Sequence, residues 1–268
     1  MNNQHSRNLY LLPYILWIGL FVLVPIILVF YYSFLDIHGN FSLTNYVNFF
    51  TPVYLKMTLS SFWYAFLITA FSLLIGYPTA YFLTKTKHKH LWLLLIILPS
   101  WINLLLKAYA FLGIFGTHGV ANNFLEAIGI GAKQILFTDF SFVFVSVYIF
   151  IPFMILPIFN SLDKLNPTFI DASFDLGASK WTTFRRVIFP LTLDGVKSGC
   201  QVVFIPALSL FMLTRLIAGN RVITLGTAIE QHFLVTQNWG MGSTIAVFLI
   251  IAMFFIMMIT GNKRRERN

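Results

Sequence analysis

Charge is what this sequence has least of. Among 268 residues only 18 are Lys or Arg and 9 are Asp or Glu, so 10% are charged, where a soluble domain carries about 25%. With 58% hydrophobic residues and a mean hydropathy of +0.79, the chain has more apolar surface than a soluble fold of this size could enclose. A soluble enzyme, a secreted disulfide scaffold and a disordered tail are excluded. Cysteine is nearly absent: Cys200 stands alone inside an apolar block, which leaves no intrachain disulfide. Catalytic signatures are missing too. There is no G-x-x-x-x-G-K-[ST] to cradle ATP phosphates, no H-E-x-x-H and no C-x-x-C. His88 and His90 flank Lys89 in a basic turn and read as a solvated topology signal rather than a metal pair. No catalytic residue, metal or cofactor is expected. A net charge of +9 would suggest a nucleic-acid partner in a soluble chain. Here the basic residues sit between apolar blocks, so they read as membrane orientation, and no nucleic acid is expected.

What the chain has in quantity is apolar runs. Six are candidate spans: Leu9–Phe34, Thr58–Thr84, Leu91–Gly116, Phe140–Leu162, Ser198–Thr214 and Met241–Gly261; a span needs about 20 residues, and the fifth is marginal. The first is too long for a signal-peptide core and lacks a small-residue cleavage site, so it reads as a retained anchor. Placing the N-terminus in the cytoplasm puts Arg7, Lys85, Lys87, Lys89, Lys164, Lys180, Arg185, Arg186, Lys197, Lys263, Arg264, Arg265 and Arg267 inside, against Lys56, Lys133, Arg215 and Arg221 outside. This asymmetry places both termini in the cytoplasm. Prolines recur within the spans (Pro25, Pro78, Pro99, Pro152, Pro157, Pro206), each freeing a carbonyl that a neighbour must satisfy.

The spans hold no Asp or Glu, which disfavours a carrier driven by an intramembrane proton relay. Lys107 is the only formal charge in a span. It either snorkels to the outer interface or lines a pathway. Trp101, Asn103 and Tyr109 in the third span and Glu230 in the last outer loop are further candidate lining groups; the aromatic pair also fits an interfacial belt. The outer loop Arg215–Gly240 carries Leu225, Ile229, Phe233 and Leu234 at helical spacing, which predicts a short helix at the outer mouth.

The most informative segment is 166–190, between the fourth and fifth spans. Asn166 is a good N-cap and Pro167 suits the first helical position. Asp171 and Asp175 make one side polar, while Phe169, Ala172, Phe174 and Leu176 offer apolar contact. Gly177 can take the left-handed conformation that ends a helix. Ser179 can cap a second helix with an apolar stripe of Trp181, Phe184, Val187 and Ile188, which Pro190 stops. Such an elbow is either an interfacial linker or a docking knob for a soluble partner. Its acidic front argues against simple attachment to an anionic leaflet.

Asp171-Ala172-Ser173, then Gly177, then Val187-Ile188-Phe189-Pro190 resembles the Glu-Ala-Ala…Gly…Ile-x-Leu-Pro pattern of permease subunits of bacterial ABC importers. The spacing is kept throughout. Asp replaces Glu, Ser replaces Ala, Val replaces Ile and Phe replaces Leu. Further stretches are similar to the permeases of spermidine/putrescine importers: Leu98-Pro99-Ser100-Trp101 leading to Lys107-Ala108-Tyr109-Ala110, Phe204 to Leu208, Leu225 to Phe233, and Asn238 to Ser243. Position 107 is often Arg in that family; Lys keeps the charge without the planar fork. The resemblance implies an all-α membrane protein with the six-helix type I importer permease (MetI-like) fold. It implies an N-terminal tail, first helix and first outer loop over 1–57, a permease core over 58–261 containing the elbow, and a basic tail over 262–268. It further implies a translocation pathway for polyamines, with ATP hydrolysed by a separate subunit. The implied partners are a cytoplasmic ABC ATPase dimer, a second permease subunit, an external polyamine-binding protein and membrane lipid. Asp171, Ala172, Ser173, Asp175, Gly177 and Pro190 would be the ATPase-coupling residues. Other small cargoes (iron(III), thiamine, phosphonate) fit the same machine, and a passive channel or a membrane-embedded enzyme stands as a rival of another class.

Overall fold

Long apolar runs must satisfy their backbone groups internally, and helices are how a single segment does so in lipid. The computed structural model describes residues 3–219 and 221–261, so the expected basic tail over 262–268 lies outside the described residues. Among those described the chain is helical, apart from an isolated β-bridge between Leu35 and Phe41. Helix α1 spans Leu11–Ser33, and a short α2, Thr44–Phe49, follows in the first loop. Helix α3, Pro52–Leu83, starts earlier than the expected Thr58, because Pro52 is preorganised for a first helical position.

The expected third span is not one helix. Helix α4, Lys89–Ile97, passes into a 3₁₀ turn, Leu98–Trp101, and ends. Pro99 sits in that turn, Ile102 is extended, and the Asn103 side chain caps a new helix by accepting from Leu105 N–H at 2.8 Å. Helix α5, Leu104–Phe115, and α6, Val120–Ala127, complete this region. The fourth span, α7, is Asp139–Asp163. Helices α8, Pro167–Asp175, and α9, Lys180–Leu191, make the elbow. The fifth span begins as α10, Leu193–Leu208, bent by 61° from α9. It stops short of the expected Thr214; a break at Ser209 and Leu210 precedes α11, Met212–Leu216. Helix α12, Leu225–Leu234, is the expected outer-loop helix, and α13, Trp239–Thr260, is the last span. Counting α5 and α6 together as Leu104–Ala127, five helices among the described residues are long and apolar enough to cross a membrane, six if the bent pair α9 and α10 is one span.

Two prolines shift register instead of ending a helix. Ahead of Pro25, a π turn over Gly19–Leu23 sends Val24 N–H to Gly19 C=O. Ahead of Pro190, a π turn over Phe184–Ile188 sends Phe189 N–H to Phe184 C=O. Proline has no N–H for the carbonyl one turn back, and widening the preceding turn redistributes the bonds. Pro190 therefore does not stop the second elbow helix, which runs on to Leu191. The bend follows at Thr192, whose buried hydroxyl donates to Ile188 C=O at 3.0 Å and pairs with Tyr77 Oη at 2.9 Å.

The chain folds as two compact units, Met1–Lys56 with Ala228–Ile251, and Met57–Thr227 with Ala252–Asn268. In the first, Phe49 stacks on Phe248 with centroids 3.9 Å apart. Ser33 Oγ meets Tyr46 Oη at 2.7 Å, and Thr244 donates to Ser33 C=O at 3.1 Å. In the second, α7 is the core: Phe142, Met154, Ile155, Ile158 and Phe159 are fully enclosed. Helix α10 lies against it through Gly195 and Gly199, one helical turn apart. A β-carbon at Gly195 would come within 2.5 Å of Ser161 Cβ and 2.8 Å of Pro157 C=O; one at Gly199 would come within 2.8 Å of Met154 Sδ. This is the small-x-x-x-small contact that lets membrane helices approach closely.

Candidate functional site

The elbow is built from local rules and closed by one polar contact. Asn166 Oδ1 accepts from Thr168 N–H at 3.1 Å, and Pro167 occupies the first turn of α8. At the other end Gly177 takes φ +78°. Gly177 N–H donates to Phe174 C=O at 2.8 Å and Ala178 N–H to Ser173 C=O at 3.0 Å. These are the two bonds of a Schellman ending. Ser179 then caps α9 by accepting from Thr182 N–H at 3.2 Å. Across the elbow the buried hydroxyls of Ser173 and Thr183 lie 2.8 Å apart and tie α8 to α9.

The apolar residues of α8 are not used as the sequence suggested. Phe169, Ala172, Phe174 and Leu176 are all exposed, Leu176 to 88%. The helix is held instead by Ser173 and the half-buried Ile170. On α9, Phe184 packs edge-on to Tyr77 and Tyr81, with centroids 5.8 and 5.6 Å away, and Ile188 is buried. Trp181 leaves the expected stripe and is 69% exposed, stacked on Phe184. Asp171 and Asp175 are exposed and unpaired among the described residues; Gly177 and Pro190 are exposed as well. Of the six candidate coupling residues only Ser173 faces inward. The elbow is thus locked to itself and to α3, and it presents an acidic and aromatic surface outward.

The pathway candidates divide. Trp101 and Tyr109 are exposed, and the Asn103 carbonyl is spent as a helix cap. Lys107 is buried, to 8% exposure. It turns back to the break in the third span, 3.4 Å from Ser100 C=O, and lines a cavity of about 190 Å³ with Ser100, Tyr148 and Pro152. Glu230 is half-buried on α12. Two residues after it, His232 Nε2 meets Tyr54 Oη at 2.8 Å and its Nδ1 meets Thr236 Oγ1 at 3.2 Å. Burial lowers the His232 imidazole below its ordinary range and so favours the neutral ring in that network. Among the described residues no group of three or more His, Cys, Asp or Glu is placed to hold a metal.

Sequence reasoning missed two features near the elbow. Lys89 pairs with Asp163, joining the start of α4 to the end of α7; 74 residues separate them, and no local pattern announces such a pair. The Gly195/Gly199 contact has the G-x-x-x-G spacing, but Gly195 precedes the expected start of the fifth span at Ser198.

No family model matches the chain. It is 36% identical over 253 residues to the spermidine/putrescine transport system permease protein PotB of Haemophilus influenzae, covering 91% of this chain and 88% of that protein. It is 28% identical over 242 residues to the inner membrane ABC transporter permease protein YdcU of Escherichia coli, covering 82% and 76%. Its fold is shared with a chain of a bacterial ABC transporter involved in the import of the acidic polysaccharide alginate, at TM-score 0.81 and 17% identity over 96% of this chain and 94% of that one. A second structure of a bacterial alginate ABC transporter, in complex with an alginate pentasaccharide-bound periplasmic protein, matches at TM-score 0.77 and 17% identity, covering 96% and 93%.

Proposed function

The chain belongs to the PotB family of ABC-importer permeases, and from that membership we propose that it forms, with a second permease subunit, the route by which polyamines enter the cell. As a permease subunit it is a non-catalytic membrane component. The observation that carries the coupling role is the elbow. Its interior is closed by Ser173 and Thr183, while Asp171, Leu176 and Trp181 remain outside. A cytoplasmic ATPase dimer seats on that surface, with Asp171 paired to one of its basic residues. Gly177 sets the angle between α8 and α9, so ATPase closure is passed to α10 through the bend at Thr192. The motor works only by favouring one membrane conformation over the other.

The chain is read as a multi-pass protein of the bacterial inner membrane, and the asymmetry of its basic loops supports both termini lying in the cytoplasm. The domain plan follows the sequence: residues 1–57 and the tail over 262–268 flank a permease core over 58–261. An external binding protein delivers spermidine or putrescine. Asp139, Asp163 and Asp194 lie at the ends of their helices and the apolar runs between hold no carboxylate, so that protein and the second permease supply the charge recognition of a polycation. Trp101, Asn103, Lys107, Tyr109 and Glu230 are the lining groups this chain offers.

Uptake of radiolabelled spermidine tests the cargo, in cells whose only polyamine importer contains this subunit. Unlabelled putrescine is expected to compete, and iron(III), thiamine and phosphonate are expected to leave uptake unchanged. No uptake, or competition by one of those three solutes, would reassign the cargo.

A further inference from the structure

Between the elbow and the helix ends above it lies a cavity of about 520 Å³, within the range of about 300–1,000 Å³ typical of small-molecule sites. The proposed ATPase-facing surface does not account for it, because none of Asp171, Asp175, Leu176, Gly177 and Trp181 lines it. Its polar lining is lopsided in sign. Lys85, Lys89 and Lys180 contribute three cations, and Asp163 contributes the one carboxylate, already paired with Lys89. Lys85 Nζ gives one N–H to Tyr81 Oη at 2.6 Å and sits 4.0 Å from that ring's centroid. Its other two N–H groups have no such partner among the described residues, and the Tyr81 hydroxyl keeps its own proton to donate. Lys89 opens α4, whose N-cap His88 gives no side-chain bond, so the positive end of that helix dipole adds to the lysines. Beyond the hydroxyl residues Thr84 and Thr183 the rest of the lining is apolar, including Leu162, Ile170, Phe174 and Ile188.

A pocket that combines a surplus of two positive charges with aliphatic and aromatic walls suits an amphiphilic anion. We infer that this cavity is a phosphate-group site whose occupant is the phosphodiester headgroup of an anionic lipid, with the start of its acyl chains against the apolar wall. A free phosphate would meet the same lysines but would leave the apolar wall unused. The inference rests on the elbow lying at the cytoplasmic leaflet, where anionic headgroups and juxtamembrane lysines attract. A lipid there bridges the ends of α3, α4 and α7 to both elbow helices. It would stiffen the joint through which the motor acts.

The test reads lipid binding on the purified full-length chain and needs neither cargo nor ATPase, so it stands or falls apart from the transport assignment. Native mass spectrometry is run after exchange into phosphatidylglycerol, phosphatidylcholine or inorganic phosphate. Wild type is expected to retain phosphatidylglycerol and not phosphatidylcholine. Lys85→Gln with Lys180→Gln is expected to weaken that retention by about thirty-fold. Lys85→Arg with Lys180→Arg, which keeps the charge, restores it and separates loss of the site from loss of the fold. Lys197→Gln, a lysine of α10 absent from the lining, leaves retention unchanged. Equal retention of both lipids, equal retention by the glutamine variant and wild type, or retention of inorganic phosphate without lipid would overturn the inference.

Discussion

Gly177→Val is expected to cut ATP-driven uptake about tenfold or more in a protein that still inserts in the membrane at normal levels. The reason is confined to one backbone angle. Gly177 sits at φ +78°, and a β-carbon there would meet nothing within 4 Å, so crowding is not the problem. The left-handed conformation itself costs a residue with a β-carbon about 1–2 kcal/mol, and more for a β-branched one. Relief comes by abandoning the two bonds that end α8 and set the angle of α9. The spans take no part in those bonds, so insertion is unaffected. Because 1.4 kcal/mol corresponds to a factor of ten in an equilibrium, a loss of about tenfold or more in uptake rate is expected. Gly177→Asn should retain most activity, since Asn tolerates the same region. Asp171→Lys should give the same loss by another route: its carboxylate is exposed and unpaired among the described residues, so reversing its charge leaves the fold intact and repels a basic partner. Uptake assays with a surface-expression control check all three. Normal uptake by Gly177→Val or Asp171→Lys would remove the elbow from the mechanism.

The second large effect is on stability. Gly195→Leu should prevent α7 and α10 from packing. Its first added carbon would lie 2.5 Å from Ser161 Cβ and 2.8 Å from Pro157 C=O, and both are fixed by the α7 backbone. Overpacking costs about 1–3 kcal/mol where neighbours can shift; here they cannot, and the helices must separate. Gly199 has a softer neighbour, since the nearest atom is Met154 Sδ at 2.8 Å, with Met154 C=O at 3.2 Å. Met can change rotamer. Thermal unfolding of the purified variants should therefore rank wild type above Gly199→Ala, then Gly195→Ala, with Gly195→Leu failing to yield folded protein. A Gly195→Leu variant as stable as wild type would contradict the close crossing of these helices.

The elbow was legible because its rules are local. Asn166, Pro167, Gly177 and Ser179 each act within a few residues, and each takes the role its chemistry suggested. The spans were legible by length and apolarity for the same reason. The break in the third span was not. Pro78, Pro152, Pro157 and Pro206 all lie inside continuous helices, so Pro99 alone announced nothing. What distinguishes it is the cap at Asn103 and the return of Lys107 toward Ser100 C=O, which let the chain end one helix and begin another. The exposure of Leu176 and Trp181 was illegible for a different reason. Helical spacing identifies an apolar face, but whether the chain covers that face itself depends on tertiary packing.

The most direct test of the account is a cross-link from the elbow tip to the motor. Cys200 is the only native cysteine, so Cys200→Ala provides a thiol-free background, and Leu176→Cys adds one thiol at the position exposed to 88%. With single cysteines placed around the docking groove of the co-purified ATPase, oxidation should give a permease–ATPase disulfide whose yield changes when ATP is added. An elbow thiol that labels freely with maleimide in the assembled complex, and forms no adduct with the ATPase at any position with or without ATP, would contradict the account.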